Sequence, residues 1–488
     1  MDMNGDNCMY YRFATSLAEG HGYANADHTP TNVFPPGYPI LMSPLRFLTD
    51  SIVAQKILNG LFLLISVLLI FVMLVRHAKQ PVALVTVAIA ATLLNYQLLR
   101  FSTMMMSEMS FLFFSVLTFL FIVKIDRDVP LLRNPYFYLS VFSAAYCYHI
   151  RTQGIALCAA IVAYYLFSKR WKPLVAFVVG YAVCLLPWII RNKVHGLGQS
   201  RYLDVITSVN AWRPDEGKLD MWGVISRFFD TFSMLLAKAI PNTIPPYFDV
   251  DYGSPIGWGW LAAVVILALM GVGMWKLGRL GLLFSLYAVA SFGVISIFST
   301  PSENRYITAL IPFFIAALIV GLYNVLDTLI RRSGLVSRPI STWLLLPVLL
   351  FSFPSLEETH KRNKSAYPPA YQNYITIAEE VHKRLPPSTV ICSRKAEFFQ
   401  MYSKGAVCGY AWTPEKEELI AGLIRSKVDY VVLEQLGYSS TSRYLYPAIQ
   451  SYPELFRLVM HLSNPDTYLF KFDKEQAKKT IQFTENAQ

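Results

Sequence analysis

Charged residues are scarce in this chain. Asp, Glu, Lys and Arg together make up 15% of the 488 residues, whereas an ordinary soluble domain has about a quarter. Such a composition excludes a disordered protein, and the 25 glycines are too few for a collagen-like repeat. Because 54% of the residues are hydrophobic, the sequence indicates a polytopic membrane protein.

Cysteine is equally scarce, and this limits the chemistry that the chain can perform. The six cysteines form no Cys-x-x-Cys pair and no Cys/His cluster with metal spacing, which excludes a small disulfide scaffold and gives no sign of a zinc module. His21, Asp27 and His28 offer three ligands in one loop, but no fourth ligand follows. We therefore expect no metal site.

Apolar runs that match the thickness of a bilayer, about 20 residues, recur along the chain. Eight of them are found at 51–75, 82–99, 108–124, 173–190, 256–275, 280–298, 305–326 and 340–356. Two shorter runs, 136–150 and 154–168, meet at Arg151 and predict a tight helical hairpin rather than one long span. The sequence thus predicts about ten spans.

The basic residues of the short loops predict the orientation of these spans. Thirteen lie on one side: Arg76, Lys79, Lys124, Arg127, Arg133, Lys169, Arg170, Lys172, Lys276, Arg279, Arg331, Arg332 and Arg338. The opposite short loops hold only Arg100, Arg151 and Arg305. Because Lys and Arg concentrate in cytoplasmic loops, both termini are expected to face outward. The net charge of +11 is then explained without a nucleic-acid partner.

The predicted topology divides the chain into three parts. Residues 1–50 form a first outer loop, and since an outward N-terminus normally follows an apolar segment, we expect a first span upstream of Met1. Residues 51–356 form the transmembrane domain, in which the outer loop 191–255, rich in Trp and Pro, is expected to hold interfacial helices.

The third part, residues 357–488, has the composition of a soluble domain on the outer, periplasmic face. Amphipathic stretches at 372–385 and 414–427 alternate with β-branched runs at 389–392 and 429–433, which predicts a small α/β domain. Cys392 and Cys408 lie near neighbouring predicted strands, and whether they form a disulfide in that oxidising compartment is left open.

Several ionisable residues lie near the predicted outer boundary of the membrane, where each needs a partner or a function. Asp6 begins a predicted helix and is either a capping carboxylate or a functional acid. Glu108 opens a span, and its alternative role is helix capping together with Ser107. Arg151, with His149 beside it, offers a fork of donors suited to phosphate, although snorkelling to lipid headgroups competes with this interpretation. Arg305 either has a similar role or pairs with Glu303.

These residues come from four separate stretches of chain and are all expected on one membrane face. They are Asp6, Glu108, His149, Arg151, Glu303 and Arg305. Carboxylates that take a proton and cations that hold a phosphate are the groups needed to transfer a sugar from a lipid-phosphate donor to a hydroxyl.

Longer motifs in the same regions resemble a known family. They are the run from Asp6 to Tyr23, Pro30-Thr31-Asn32, Phe34-Pro35-Pro36-Gly37-Tyr38-Pro39, Ser107-Glu108, Arg151-Thr152-Gln153-Gly154, Pro187-Trp188-Ile189-Ile190-Arg191-Asn192, Arg305-Tyr306 and Ser393-Arg394-Lys395. Together they resemble the bacterial glycosyltransferase family 39 proteins. That family has the GT-C fold and is related to the dolichyl-phosphate-mannose protein mannosyltransferases and the lipid A aminoarabinose transferases.

The resemblance implies an inverting enzyme of the bacterial inner membrane that uses a polyprenyl-phosphate sugar as co-substrate and no cofactor. Its acceptor would be a lipid, a glycan or a protein. Asp6 is then the candidate general base, while Arg151, Arg305 and His149 would bind the donor phosphate and Glu108 would position the acceptor or a cation. One departure is Asn7, where the family often has a second acidic residue.

Two other classes of function stay open. A transporter or flippase of lipid-linked sugars would also carry intramembrane charges, although these usually lie at mid-membrane in broken helices and no repeat is visible here. A catalytically inactive relative that scaffolds an envelope complex is the third interpretation. The sequence does not identify the sugar or the acceptor.

Overall fold

The computed structural model of the chain is predominantly helical. It describes residues 5–25, 28–125, 129–198, 202–210, 213–243, 259–298, 304–334 and 339–481. The chain forms two compact units. Unit 1 comprises Met1–Thr31, Thr207–Leu219 and Asn363–Gln488, and unit 2 comprises Asn32–Ile206 and Asp220–Arg362.

The α-helices follow one another with short connections. The first eleven are α1 (Asp6–Ala18), α2 (Gly37–Leu48), α3 (Ile52–Val72), α4 (Val82–Leu93), α5 (Tyr96–Ser102), α6 (Glu108–Lys124), α7 (Pro135–Ile150), α8 (Gly154–Phe167), α9 (Trp171–Val194), α10 (Tyr202–Thr207) and α11 (Met221–Met234). The others are α12 (Ile240–Thr243), α13 (Gly259–Lys276), α14 (Arg279–Ser296), α15 (Ile311–Arg332), α16 (Phe353–Lys364), α17 (Pro369–Arg384), α18 (Ala396–Ser403), α19 (Lys416–Arg425), α20 (Tyr446–Ser451) and α21 (Lys474–Thr480).

Unit 2 contains the apolar helices. Within the described ranges, five helices are long and apolar enough to cross a membrane: Ile52–His77, Trp171–Val194, Gly259–Lys276, Arg279–Ser296 and Arg305–Arg332. Helices α4 and α5 pass the same test as a pair, with a bend of 61° between them. These helices support a multi-pass membrane protein, while the count of ten spans stays a prediction.

Capping residues explain where several of these helices begin. The bend between α4 and α5 coincides with Asn95, whose side-chain oxygen accepts hydrogen bonds from the backbone N–H groups of Gln97 and Leu98. Asn134 similarly accepts from Tyr136 N at the start of α7, where Pro135 occupies the first helical position. Both are typical helix N-termini.

The predicted hairpin around Arg151 is confirmed as two helices, α7 and α8. Their connection is so tight that a Cβ atom on Gly154 would lie 2.4 Å from Tyr148 N. Only glycine fits at this position, and the turn therefore presents the side chain of Arg151 at the end of α7.

The proline-rich motif of the first loop has a structural role. Helix α2 begins at Gly37, and a Cβ atom on this residue would lie 2.6 Å from the carbonyl carbon and oxygen of His149. The hydroxyl of Tyr146 donates to Gly37 O at 3.0 Å. Gly37 thus allows α2 to pack directly on the end of α7, next to Arg151.

The segment 191–255 contains the amphipathic helix α11, and its expected position at the membrane interface stays a prediction. Helix α11 exposes Met221, Trp222 and Phe229, while its Thr231 is buried. Trp212, Pro245, Pro246 and Tyr247 lie outside the described residues.

Unit 1 contains an α/β fold built on one five-stranded sheet. Its strands are β1 (Val390–Cys392), β2 (Ala406–Cys408), β3 (Tyr430–Leu433), β4 (Phe456–Leu462) and β5 (Thr467–Phe472), in the order β2-β1-β3-β5-β4. Strand β1 pairs in parallel with β2 and β3, whereas β5 is antiparallel to β3 and β4.

The α/β prediction for this region is confirmed at the level of its elements. The stretches 372–385 and 414–427 correspond to α17 and α19, and the runs 389–392 and 429–433 correspond to β1 and β3. The sequence did not predict that residues 1–31 and 207–219 group with this domain. That grouping differs from the expected boundary at residue 50, and α1 belongs to unit 1.

The cysteines are all free thiols in the structure. Cys392 and Cys408 are register partners on the parallel strands β1 and β2. They therefore lie close together, as expected, but form no disulfide. His21 and His28 lie with their ring centroids 4.2 Å apart, whereas Asp27 is outside the described residues.

Gly37→Ala should destabilise the purified protein by about 2 kcal/mol, because the new methyl group overlaps the backbone of His149. Gly60→Ala is the matched control, since no atom lies within 4 Å of a Cβ at that helical position. Thermal unfolding in detergent measures both. Equal melting temperatures for the two variants would contradict the close packing of α2 on α7.

Candidate functional site

A buried carboxylate at the start of α6 organises the candidate site of unit 2. The side chain of Glu108 is 2% exposed, and its Oε1 atom accepts hydrogen bonds from two arginines. Arg151 Nη1 lies 2.9 Å from this oxygen and Arg305 Nε lies 2.5 Å from it. Glu108 therefore holds two guanidinium groups that are 154 residues apart in sequence.

Arg151 is fixed by more than this ion pair. The same Nη1 atom donates to Ser107 Oγ at 3.0 Å, and the guanidinium carbon lies 5.8 Å from the centre of the Tyr306 ring. A guanidinium has five N–H donors. Within the described part of the chain, the hydrogen bonds of this side chain use one nitrogen, which leaves most of its fork for a ligand.

Arg305 lies in the short 3-10 helix Asn304–Leu310, which precedes α15. This segment is tied to the α7–α8 turn, because Gln153 Nε2 donates to Tyr306 O at 2.9 Å. The side chain of Arg305 is 20% exposed and that of Arg151 is 12% exposed. Both cations are therefore largely desolvated.

The cluster of Glu108, Arg151 and Arg305 has a net charge of +1, with both arginines protonated and the carboxyl ionised. The second carboxylate oxygen of Glu108, Oε2, is buried and has no hydrogen-bond partner in the described structure. Burying three charges is costly unless each is compensated. Two guanidiniums held side by side are also suited to bind an anion.

The structure bears on one of the structural alternatives considered for these residues and leaves the other untested. Ser107 occupies the N-cap position of α6, but its side chain caps no backbone N–H and accepts from Arg151 instead. Arg305 pairs with Glu108, and the proposed alternative partner Glu303 lies outside the described residues.

His149 is held separately from the charged cluster. Its Nε2 atom lies 3.0 Å from Cys184 O, while Nδ1 is buried without a hydrogen-bond partner among the described residues. The structure thus places this residue between α7 and α9, and its role in phosphate binding stays a prediction.

Sequence reasoning missed the residues that support the loop before Glu108. Tyr38 OH donates to Asn59 Oδ1 at 3.2 Å, and Asn59 Nδ2 donates to Met106 O at 2.9 Å and to Met104 O. Asn59 is fully buried in α3. A buried amide inside an apolar span was the available signal, because such a group needs a partner.

Asp6, the candidate general base, belongs to unit 1. It is the first residue of α1 and is half-buried. The structure therefore brings Glu108, Arg151 and Arg305 together in unit 2, whereas Asp6 belongs to unit 1. Inside unit 1, its charge acts on Lys395, which follows β1.

Comparison with solved structures identifies the fold. No family model matches the chain, and no curated protein matches it. The chain is similar over its whole length to solved membrane transferases of the GT-C fold, at 11–14% identity. It therefore has a GT-C-type fold, as the sequence motifs predicted.

Two of these neighbours are crystal structures of ArnT, the lipid A aminoarabinose transferase, from Cupriavidus metallidurans. The apo form has a TM-score of 0.60 at 14% identity, covering 97% of this chain and 95% of that one. The form bound to undecaprenyl phosphate has a TM-score of 0.56 at 13% identity, with coverages of 96% and 95%.

A third neighbour is the Archaeoglobus fulgidus oligosaccharyltransferase, tethered to an acceptor peptide that contains the NVT sequon. Its TM-score is 0.54 at 11% identity, and the match covers 97% of this chain and 71% of that one.

Glu108→Gln should lower the stability of the purified protein by about 3 kcal/mol, because it leaves two desolvated guanidiniums without their carboxylate. Glu357→Gln is the control, since its pair with Lys361 is exposed and should contribute little. Denaturation in detergent measures the difference. Indistinguishable stabilities would show that the arginines do not depend on Glu108.

Proposed function

We propose that this chain is a glycosyltransferase that takes a sugar from a polyprenyl-phosphate carrier and transfers it, with inversion, to an acceptor hydroxyl. The observation that carries the proposal is the pair of guanidiniums that one buried carboxylate holds side by side. The GT-C fold is consistent with this activity.

The arginines would bind the phosphate that leaves with the carrier lipid. When the bond between sugar and phosphate breaks, negative charge develops on the phosphate, and fixed guanidinium donors stabilise that charge strongly in a site of low polarity. Arg151 would supply a planar fork, and Arg305 would add a second cation from a different segment.

Glu108 would act on the donor only through the arginines. Its Oε1 atom is occupied by both guanidiniums, so its role is to hold their orientation rather than to accept a proton. The sequence-based expectation that Glu108 positions the acceptor or a cation stays a prediction.

Asp6 is the proposed general base. Inversion in a single displacement requires that a base remove the acceptor proton as the hydroxyl attacks the sugar carbon. Asp6 is half-buried at the start of α1, and unit 1 would then lie on the outer, periplasmic side of a bacterial inner membrane.

The neighbours support a lipid-linked donor. One ArnT structure contains undecaprenyl phosphate, and the archaeal oligosaccharyltransferase structure contains an acceptor peptide. The class of acceptor, whether lipid, glycan or protein, would follow from labelled products in an envelope fraction.

Arg151→Ala should weaken binding of radiolabelled undecaprenyl phosphate at least about tenfold, because a charge-assisted contact is lost. Arg151→Lys should restore part of the affinity, since it keeps the charge without the planar fork. Arg100→Ala is the matched control, because Arg100 lies outside the cluster. Unchanged affinity in Arg151→Ala would contradict a phosphate site here.

Asp6→Asn should leave undecaprenyl-phosphate binding intact but lower sugar transfer to an envelope fraction about a thousandfold. Transfer is followed with a radiolabelled polyprenyl-phosphate sugar. Normal transfer by Asp6→Asn would exclude Asp6 as the base. A wild-type protein that moves the labelled lipid across liposomes and transfers no sugar would contradict the enzyme and favour a transporter.

A further inference from the structure

A second cluster of cations lies in unit 1, at the carboxyl end of the parallel strands. Residues Ser393, Arg394 and Lys395 follow β1 directly. In the sheet, β1 lies between β2, the next strand along the chain, and β3. The loop therefore leaves the sheet at a topological switch point, where open parallel sheets bind ligands.

Arg394 is held in a fixed orientation by aromatic rings. Its guanidinium carbon lies 4.5 Å from the centre of the Trp412 ring and 4.6 Å from that of Tyr438. Its Nε atom donates to Ser440 Oγ at 2.5 Å. Tyr438 is itself held by a hydrogen bond of 3.1 Å between its hydroxyl and that of Tyr371. These contacts fix the position of the guanidinium through its plane and its Nε atom.

Lys395 adds a second cation to the same ring. Its Nζ atom lies 4.6 Å from the centre of Tyr438. Burial lowers the pKa of Lys395, and the charge of Arg394 lowers it further, while Tyr371 and Asp6 act in the opposite direction. Two cations on one aromatic ring repel each other, and an anion bound by both would relieve that repulsion.

Three carboxyl groups lie near this pair. Glu397 and Glu434 interact electrostatically with both cations, and Asp6 interacts with Lys395. Burial raises the pKa of Glu397 and of Glu434, and Glu434 accepts its hydrogen bonds from Thr441 Oγ1 and Leu436 N. The hydrogen bond to Ser440 uses Nε of Arg394, so the two terminal nitrogens of the guanidinium are the atoms that a ligand would contact.

We propose that Arg394 and Lys395 form a binding subsite for a phosphate group, separate from the arginine cluster of unit 2. The guanidinium fork suits two phosphate oxygens, and the ammonium supplies a point charge beside it. The phosphate could belong to a lipid headgroup or to a soluble phosphate compound. The subsite lies wholly within unit 1 and does not require the transferase activity.

Helix α1 begins at the same subsite. A Cβ atom on Gly5, the residue before Asp6, would lie 3.8 Å from Lys395 Nζ. A phosphate bound by Lys395 would therefore lie close to the start of the helix that carries Asp6. The subsite is placed to hold a phosphate-bearing substrate near that residue.

Phosphorus NMR of inorganic phosphate titrated with the full-length protein in detergent tests the subsite. The experiment uses an Arg151→Ala background, so that the proposed donor site does not contribute. Lys395→Met and Arg394→Gln should each weaken phosphate binding at least about tenfold. Lys383→Met is the matched control, since it removes the same charge from an exposed position on α17.

Competition with farnesyl phosphate distinguishes the two sources of phosphate. Stronger binding of farnesyl phosphate that depends on Lys395 would assign the subsite to a lipid headgroup, and equal binding would assign it to soluble phosphate compounds. If Arg394→Gln does not fold, Lys395→Met alone carries the test. Phosphate binding that Lys395→Met leaves unchanged, or no binding to the parent chain, would overturn the proposal.

Discussion

The ion pairs that converge on Glu108 are the constraint on which the candidate site depends. A carboxylate with 2% exposure is stable in an apolar helical unit only if cations compensate its charge, and Arg151 and Arg305 do so from separate parts of the chain. The same contact that stabilises Glu108 holds two guanidiniums side by side, which links the packing of unit 2 to its proposed chemistry.

Several sequence motifs contribute to this constraint without touching a substrate. Gly37 allows α2 to pack on the backbone of His149, and Gly154 allows the tight turn that presents Arg151. Asn59, bonded to Tyr38 and to the carbonyl of Met106, holds the loop that leads into Glu108. The motifs thus act mainly through the backbone, which explains why glycine, proline and amide residues are prominent in them.

Local patterns predicted the elements of the fold better than their long-range contacts. Apolar length and β-branched runs located the hairpin at Arg151 and the strands β1 and β3, since both signals depend on neighbouring residues. The sequence indicated that Glu108, Arg151 and Arg305 each need a partner. It did not predict that they pair with one another, because Glu108 and Arg305 are 197 positions apart. The grouping of α1 with the α/β domain was missed for the same reason, whereas Asn59 had a local signal, a polar amide inside an apolar span.

The location of the phosphate in a donor complex tests the central claim most directly. A structure determined by electron cryomicroscopy with undecaprenyl phosphate would show it. The account predicts phosphate oxygens within about 3 Å of the guanidinium nitrogens of Arg151, with Glu108 still bonded to both arginines. A phosphate bound elsewhere in unit 2, with the arginine cluster closed and unoccupied, would contradict the account.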